Sequence, residues 1–301
     1  MMFLSSSLTI AIVVAMVTTV TASSTTSTTR VVGGQAVASG QAYPFFVQWQ
    51  DHCGASLIWE DMILTAAHCN GANNPLDRVT YIGGTIRNTG LKRTMVKRIL
   101  HPQWNANLMN EDSASNYNED DDHVIAWDVM VAKLNQSVHD HDEDNGVVYT
   151  PVQLNAQPDS PRNGQAVTAM GYGRLSHTGM YSRPDRLRHV EMQAFSTEDC
   201  QTYYGNTRIK FQSDSMLCVG VDGGGKSTCQ GTTFVCILDD GGIMYFCWKT
   251  GTHGSCRNLY SDSLNTFFNS GDSGGPLLIQ EDDASNWTQV GVVSWGTSCF
   301  G

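Results

Sequence analysis

Three separated segments of the sequence carry the side-chain types of a nucleophilic triad. His68 ends an apolar run in the motif Thr-Ala-Ala-His-Cys, and Asp128 opens the apolar run Asp-Val-Met-Val-Ala-Lys-Leu. Ser273 lies in the glycine-rich motif Gly-Asp-Ser-Gly-Gly-Pro. A serine hydroxyl becomes a strong nucleophile when a neighbouring base removes its proton, and a histidine can be that base. Each motif alone has an ordinary structural interpretation, but together and in this order they point to a single nucleophilic chemistry.

Short apolar runs separated by turn residues must position these side chains. Apolar residues make up 41% of the chain, which is enough for a sizeable core and excludes wholesale disorder. The lengths of the runs and their Gly, Asn and Asp neighbours predict an antiparallel all-β protein without long helices. The predicted strands are Phe45–Trp49, Ser56–Ile58, Met62–Ala66, Val79–Ile82, Val129–Leu134, Ala166–Met170, Pro276–Ile279 and Val290–Ser294.

The charge of the chain is concentrated in one segment. Lys and Arg number 18 and Asp and Glu number 29, so the net charge is −11. The segment Glu111–Asp144 contains eleven acidic residues and one base, Lys133, and therefore carries −10 of that total. Binding to nucleic acid is not expected, because it needs an excess of Lys and Arg on one face. We interpret the acidic stretch just before Asp128 as a solvated, mobile loop. Attraction of basic peptides or calcium is the alternative, although the spacing does not match a calcium-binding loop.

The N terminus has the features of an export signal. Leu8–Val20 is an apolar run of thirteen residues, too short to cross a bilayer, and small residues follow it up to Ala22. We predict a signal peptide over residues 1–22, a Ser/Thr-rich propeptide over residues 23–30, and a secreted protein with no membrane anchor after signal removal. Export places the nine cysteines in an oxidising compartment, where they are expected to pair, and the odd number leaves at least one over. The sequence predicts neither a metal site nor a cofactor.

Five motifs in the same order resemble the trypsin/chymotrypsin-like serine endopeptidases, peptidase family S1. They are the Val-Val-Gly-Gly that follows Arg30, the three motifs described above, and the Val-Ser-Trp-Gly that begins at Val293. The resemblance covers roughly residues 31–301, which we interpret as one protease domain. It implies an all-β fold of two six-stranded antiparallel barrels packed together, with the triad between them.

The resemblance also implies a role for each catalytic residue. Ser273 would be the nucleophile, His68 its general base, and Asp128 the residue that orients His68. The backbone N–H groups of Gly271 and Ser273 would stabilise the oxyanion. The implied activity is that of a secreted endopeptidase that hydrolyses peptide bonds through an acyl-enzyme and needs no cofactor.

Substrate recognition is assigned by the same resemblance. The segment that pairs with the substrate backbone would contain Ser294, Trp295 and Gly296. Ser227 would form the floor of the specificity pocket, where an Asp would select basic side chains. Because Ser has no charge, a preference for large apolar side chains is implied. The implied partners are polypeptide substrates, an activating protease and protein protease inhibitors, and the protein is expected to be a monomer.

Activation by cleavage is a further implication of the resemblance. A cut after Arg30 would free the Val31 ammonium, which would fold inward and pair with Asp272. A buried ion pair of this kind costs about 3–5 kcal/mol to break when one partner is lost. The uncut chain is therefore expected to be a zymogen, and the cut after a basic residue predicts a trypsin-like activator.

The resemblance implies three disulfides and also exposes two departures from the family pattern. The disulfides are Cys53–Cys69, Cys200–Cys218 and Cys229–Cys299. Residues 232–270 interrupt a motif that is continuous in the family, and we interpret them as either translated intron sequence or a genuine insertion. The chain also stops at Gly301, where the family continues through a strand and a helix. These departures leave an alternative open: a catalytically inactive homologue that acts as a secreted binding module.

Overall fold

A computed structural model describes eleven segments of the chain. They are residues 34–38, 42–49, 53–70, 79–105, 126–139, 148–173, 183–205, 211–220, 233–235, 272–280 and 286–294. The predicted signal peptide and propeptide lie outside them, as does most of the predicted insert. No helix within the described segments is long and apolar enough to cross a membrane.

The first half of the chain forms a closed antiparallel barrel. Its six strands follow the order β2-β3-β4-β7-β6-β5, and β5 closes the barrel by pairing with β2. Alternate side chains point inward, so that Met130, Ala132 and Leu134 of β7 are buried. The strands are β2 Phe46–Trp49, β3 Cys53–Trp59, β4 Met62–Thr65, β5 Val79–Ile82, β6 Leu91–Leu100 and β7 Met130–Leu134.

The second half forms an eight-stranded sheet. Its order over the described residues is β12-β11-β10-β9-β13-β14-β8, and β1 adds to β10. All pairs are antiparallel except β14 with β8. The strands are β1 Gln35–Ala36, β8 Gln153–Leu154, β9 Ala166–Gly171, β10 Arg188–Ala194, β11 Leu217–Gly220, β12 Thr233–Val235, β13 Pro276–Gln280 and β14 Trp287–Val292.

This architecture confirms the predicted all-β fold class. The chain is nearly all-β, with one closed six-stranded barrel and, over the described residues, a second sheet, which is consistent with the predicted pair of barrels. Three residues of the predicted insert take part in it, because Thr233–Val235 pairs with β11. The helix α1 spans Thr197–Tyr204. Its N-cap is Ser196, whose hydroxyl accepts a hydrogen bond from the Asp199 N–H at 3.1 Å.

Strand β3 joins the two β units. The Gly54 N–H donates to the Ser273 carbonyl at 2.7 Å. Two residues along the strand, the buried Ser56 hydroxyl donates to Gln289 Oε1 at 2.6 Å. The motif that contains Ser273 is therefore fixed directly to the barrel that carries His68 and Asp128.

Candidate active site

His68 and Asp128 form a close pair at the end of β4. The strand ends at Thr65, and the short 3-10 turn Ala67–Asn70 presents His68. The His68 backbone N–H donates to Asp128 Oδ1 at 2.8 Å, and His68 Nδ1 lies 2.6 Å from Asp128 Oδ2. An ionised carboxylate can only accept hydrogen bonds, so Nδ1 is the protonated ring nitrogen. Asp128 therefore orients both the backbone and the ring of His68.

The Asp128 carboxylate is completely buried and accepts a third hydrogen bond from Ser294 Oγ. Ser294 follows β14, so this bond joins the second sheet to the barrel. Burial by itself would raise the pKa of Asp128. The charge interaction with His68 and the hydrogen bonds from His68 and Ser294 outweigh burial and hold that pKa below its usual value.

Two aromatic residues hold the backbone that carries Asp128. Trp127 has a φ of +63°, in the left-handed region that costs a bulky residue about 1–2 kcal/mol. Its ring stacks on His101, with ring centroids 4.6 Å apart and an interplanar angle of 11°. The His101 N–H donates to the Val129 carbonyl at 3.0 Å. His101 and Trp127 were missed from the sequence, because no motif suggests a strained Trp before Asp128.

Ser273 lies in a turn, residues 272–275, that we call the serine turn. Gly274 has a φ of +78°, and a Cβ atom there would lie 2.2 Å from Thr65 Oγ1 and 2.4 Å from the Gly54 carbonyl oxygen. Glycine is the residue that fits both the backbone conformation and the space. The serine turn consequently packs against the end of β4, three residues before His68.

A second set of hydrogen bonds joins the serine turn to Asp128. The Gly274 N–H donates to the Val293 carbonyl at 2.7 Å, and the Val293 N–H donates to the Gly275 carbonyl at 2.8 Å. The next residue, Ser294, donates to Asp128. The structure thus brings together three of the predicted site residues, Asp128, His68 and Ser294, and places the serine turn against the strand that leads to them.

Comparison with known proteins agrees with this arrangement. The family model described as trypsin matches residues 31–233. The chain belongs to the trypsin family. It is 30% identical over 204 residues to Kallikrein-1 of Mus musculus, covering 65% of this chain and 68% of that protein. It is 26% identical over 275 residues to a trypsin-like protease of Streptomyces glaucescens, covering 90% and 74%. A trypsin of Saccharopolyspora erythraea is 25% identical over 277 residues, covering 89% and 88%.

This trypsin-family chain buries a second carboxylate, that of Asp272, beside Ser273. Asp272 is 2% exposed, and the Gly173 N–H donates to its Oδ1 at 2.8 Å. A Cβ atom on either Gly171 or Gly173 would lie 2.1 Å from a carboxylate oxygen of Asp272. The pocket for this carboxylate therefore exists because both residues lack a side chain.

The four cysteines within the described segments form two disulfides. Disulfides join Cys53 to Cys69 and Cys200 to Cys218. The sulfurs of Cys53 and Cys69 and a nitrogen of His68 lie within 4.8 Å of one another, but these sulfurs are bonded together and are not thiolate ligands. Several predicted site residues lie outside the described segments: Arg30, Val31, Ser227, Cys229, Gly271, Trp295, Gly296 and Cys299.

Replacing Gly274 with alanine is expected to destabilise the protein more than the same change at Gly164. Gly164 has a similar φ of +79°, but a Cβ atom there meets nothing within 4 Å. Gly164→Ala should cost about 1–2 kcal/mol of unfolding free energy from backbone strain. Gly274→Ala should cost about 1–3 kcal/mol more from overpacking against Thr65. Urea unfolding of both variants measures the difference, and equal losses would contradict the close packing of the serine turn.

Asp128 is expected to make the stability of the protein depend on pH. A carboxyl whose pKa is lower in the folded state contributes stability above its unfolded pKa, about 3.9, and loses that contribution as pH falls through the folded pKa. The difference in unfolding free energy between wild type and Asp128→Asn should therefore be largest above about pH 5 and shrink below about pH 4. Asp159→Asn, which removes an exposed carboxylate, controls for the change in net charge. A difference that stays constant from pH 7 to pH 2 would contradict the lowered pKa.

Proposed function

We propose that this trypsin-family chain is a secreted serine endopeptidase that hydrolyses peptide bonds through an acyl-enzyme on Ser273. One observation carries the proposal: the buried Asp128 carboxylate holds His68 through two hydrogen bonds, while the serine turn packs against the strand that leads to His68. Burying an ionised carboxylate costs free energy even when it is paired, and an endopeptidase uses the pair of Asp128 and His68 to provide its general base. A binding module has no need of it, so an inactive homologue is not favoured.

In the proposed reaction, His68 Nε2 takes the proton of Ser273 Oγ as that oxygen attacks the peptide carbonyl carbon. Asp128 stabilises the imidazolium that forms, because its carboxylate is already oriented toward Nδ1. The N–H groups of Gly271 and Ser273 stabilise the oxyanion, and one such donor contributes about 2.7–4 kcal/mol to transition-state binding. His68 then protonates the departing amine. In the second half of the reaction His68 takes a proton from water, which attacks the acyl group, and Ser273 leaves and regains its proton from His68.

The proposed substrates are polypeptides, and the proposed compartment is extracellular. The two disulfides support secretion, because such bonds persist in oxidising compartments. The uncharged Ser227 favours large apolar side chains at the cleaved position over Arg and Lys. Ser294 has two roles in this proposal, since its hydroxyl binds Asp128 while its backbone belongs to the segment that pairs with substrate.

The proposed enzyme is made as a zymogen that becomes active after cleavage at Arg30. The Val31 ammonium would pair with Asp272, whose carboxylate is already enclosed by Gly171 and Gly173. Because Asp272 directly precedes Ser273, a change at this carboxylate moves the backbone N–H of the nucleophile. Pairing with Val31 would in this way complete the oxyanion site.

Ser273→Ala is expected to abolish covalent labelling by a fluorophosphonate probe and to lower peptide hydrolysis by about 10⁶-fold, as loss of the nucleophile does in related chemistry. The protein used is the full chain cleaved after Arg30. Ser215→Ala, which removes a buried hydroxyl that donates to the Gln212 carbonyl, should label like wild type. Labelling that persists in Ser273→Ala, or a wild-type protein that does not label at all, would contradict the assignment of Ser273 as the nucleophile.

Arg30→Gln is expected to keep the chain inactive after exposure to a trypsin-like protease, because the Val31 amine is never freed. Arg162→Gln, at an exposed arginine elsewhere in the chain, is the matched control and should activate normally. Mass spectrometry establishes whether residues 31 onward have been released, and the acylation rate reports activity. An uncleaved Arg30→Gln protein that acylates as fast as processed wild type would rule out activation at this position.

A further inference from the structure

Strand β10 holds a segment that begins at Gly34, four residues after Arg30 of the predicted cleavage site. We call this segment, residues 34–38, the N-terminal arm. Arg188 Nη2 donates to the Gly34 carbonyl at 2.7 Å. Strand β1, which lies in the arm, pairs with the beginning of β10, and the Val37 N–H donates to the Leu187 carbonyl at 2.8 Å. Backbone pairing holds the middle of the arm, and the Arg188 side chain holds the end nearest to Arg30.

The contact between Arg188 and Gly34 lies near the strand that packs against Asp272. Arg188 is opposite Gly171 in the pairing of β10 with β9, and Gly171 is packed against the Asp272 carboxylate. The arm, β10 and β9 are successive strands, so about 10 Å separates Ala36, which is opposite Arg188, from Gly171. Gly34 lies two residues, about 7 Å, farther along the arm, so it is about 12 Å from Gly171. The three residues from Val31 to Gly34 span about 10 Å when extended, and the Asp272 carboxylate lies against Gly171, so the amine can reach it through an extended chain when Gly34 is held in place.

We propose that Arg188 is a positioning residue for activation, which anchors Gly34 and so keeps the new amino terminus beside Asp272. The inference rests on the proposed activation after Arg30. An anchored Gly34 leaves three residues to be ordered when the ammonium pairs with Asp272, and the ordering of each additional residue opposes that pairing. The anchor also raises the effective concentration of the amine at the carboxylate.

The surroundings of Arg188 suit this role. Burial lowers the pKa of its guanidinium, and a charged donor that is partly removed from water forms a stronger hydrogen bond with a carbonyl. The next residue, His189, holds the chain just beyond the arm, since its Nδ1 lies 2.5 Å from the Tyr43 hydroxyl. Two adjacent residues of β10 thus hold the chain on both sides of β1.

The reactivity of the Val31 amine toward cyanate tests the proposal without relying on enzymatic activity. The full chain is cleaved after Arg30, and carbamylation of Val31 is followed by mass spectrometry. Arg188→Met should increase the carbamylation rate about tenfold, the effect of losing one hydrogen bond from a charged donor. Arg188→Lys, which keeps the charge and one donor, should fall between Arg188→Met and wild type. The exposed Arg186 provides the matched control, and Arg186→Met should behave like wild type.

The rate of acylation by the fluorophosphonate probe provides a second measurement and should fall in Arg188→Met by a similar factor. A wild-type amine as reactive as that of a free Val-Val-Gly-Gly peptide would overturn the pairing with Asp272, and the anchor with it. A protected wild-type amine that stays equally protected in Arg188→Met would overturn the anchor alone. Equal increases in Arg188→Met and Arg186→Met would likewise overturn it, because the effect would then come from lost charge. If Arg188→Met does not fold, an Arg188→Lys amine as protected as wild type contradicts the proposal.

Discussion

The buried carboxylate of Asp128 is the group on which the rest of the site depends. It is completely enclosed, and it stays ionised because His68 and Ser294 supply hydrogen bonds to it. His68 comes from the barrel and Ser294 from the second sheet, so the charge is satisfied when the two β units are packed together. Removing one partner of a buried charge typically costs about 3–5 kcal/mol. The assembly of the fold and the alignment of the site are therefore coupled through one carboxylate.

Space left by absent side chains is the second constraint. Gly274 lets the serine turn approach the end of β4 and the Gly54 carbonyl at distances that no Cβ atom would allow, and a Cβ atom on Gly54 would be tightly packed at 3.0 Å from Gly275 Cα. Gly171 and Gly173 do the same around Asp272. These contacts are between backbones and short polar groups, which leaves little freedom to adjust. A serine turn held on one side by the barrel and on the other by Val293 can present its hydroxyl and N–H groups in a fixed geometry.

The sequence predicted much of this arrangement, and it missed other parts for two physical reasons. All eight predicted strands overlap observed ones, since apolar runs between turn residues are a local signal. Strand β6 was missed because four of its ten residues are Lys or Arg, and β10 because charged and apolar residues are mixed along it. The left-handed backbone of Trp127 and the contact of Arg188 with Gly34 depend on residues distant in sequence. Local pattern carries no information about either.

The two buried carboxylates of the candidate site are held in different ways. Asp128 reaches His68 through side-chain and backbone hydrogen bonds, so under the proposed function it acts on Ser273 through the imidazole of His68. Asp272 is covalently adjacent to Ser273, and its own carbonyl accepts the Gly275 N–H at 2.9 Å, which closes the serine turn. A displacement of the Asp272 carboxylate is therefore transmitted through a single peptide unit to the N–H of Ser273. Under the proposed function, Asp128 prepares the base within the folded chain, while Asp272 makes the oxyanion site responsive to an amine that exists only after cleavage.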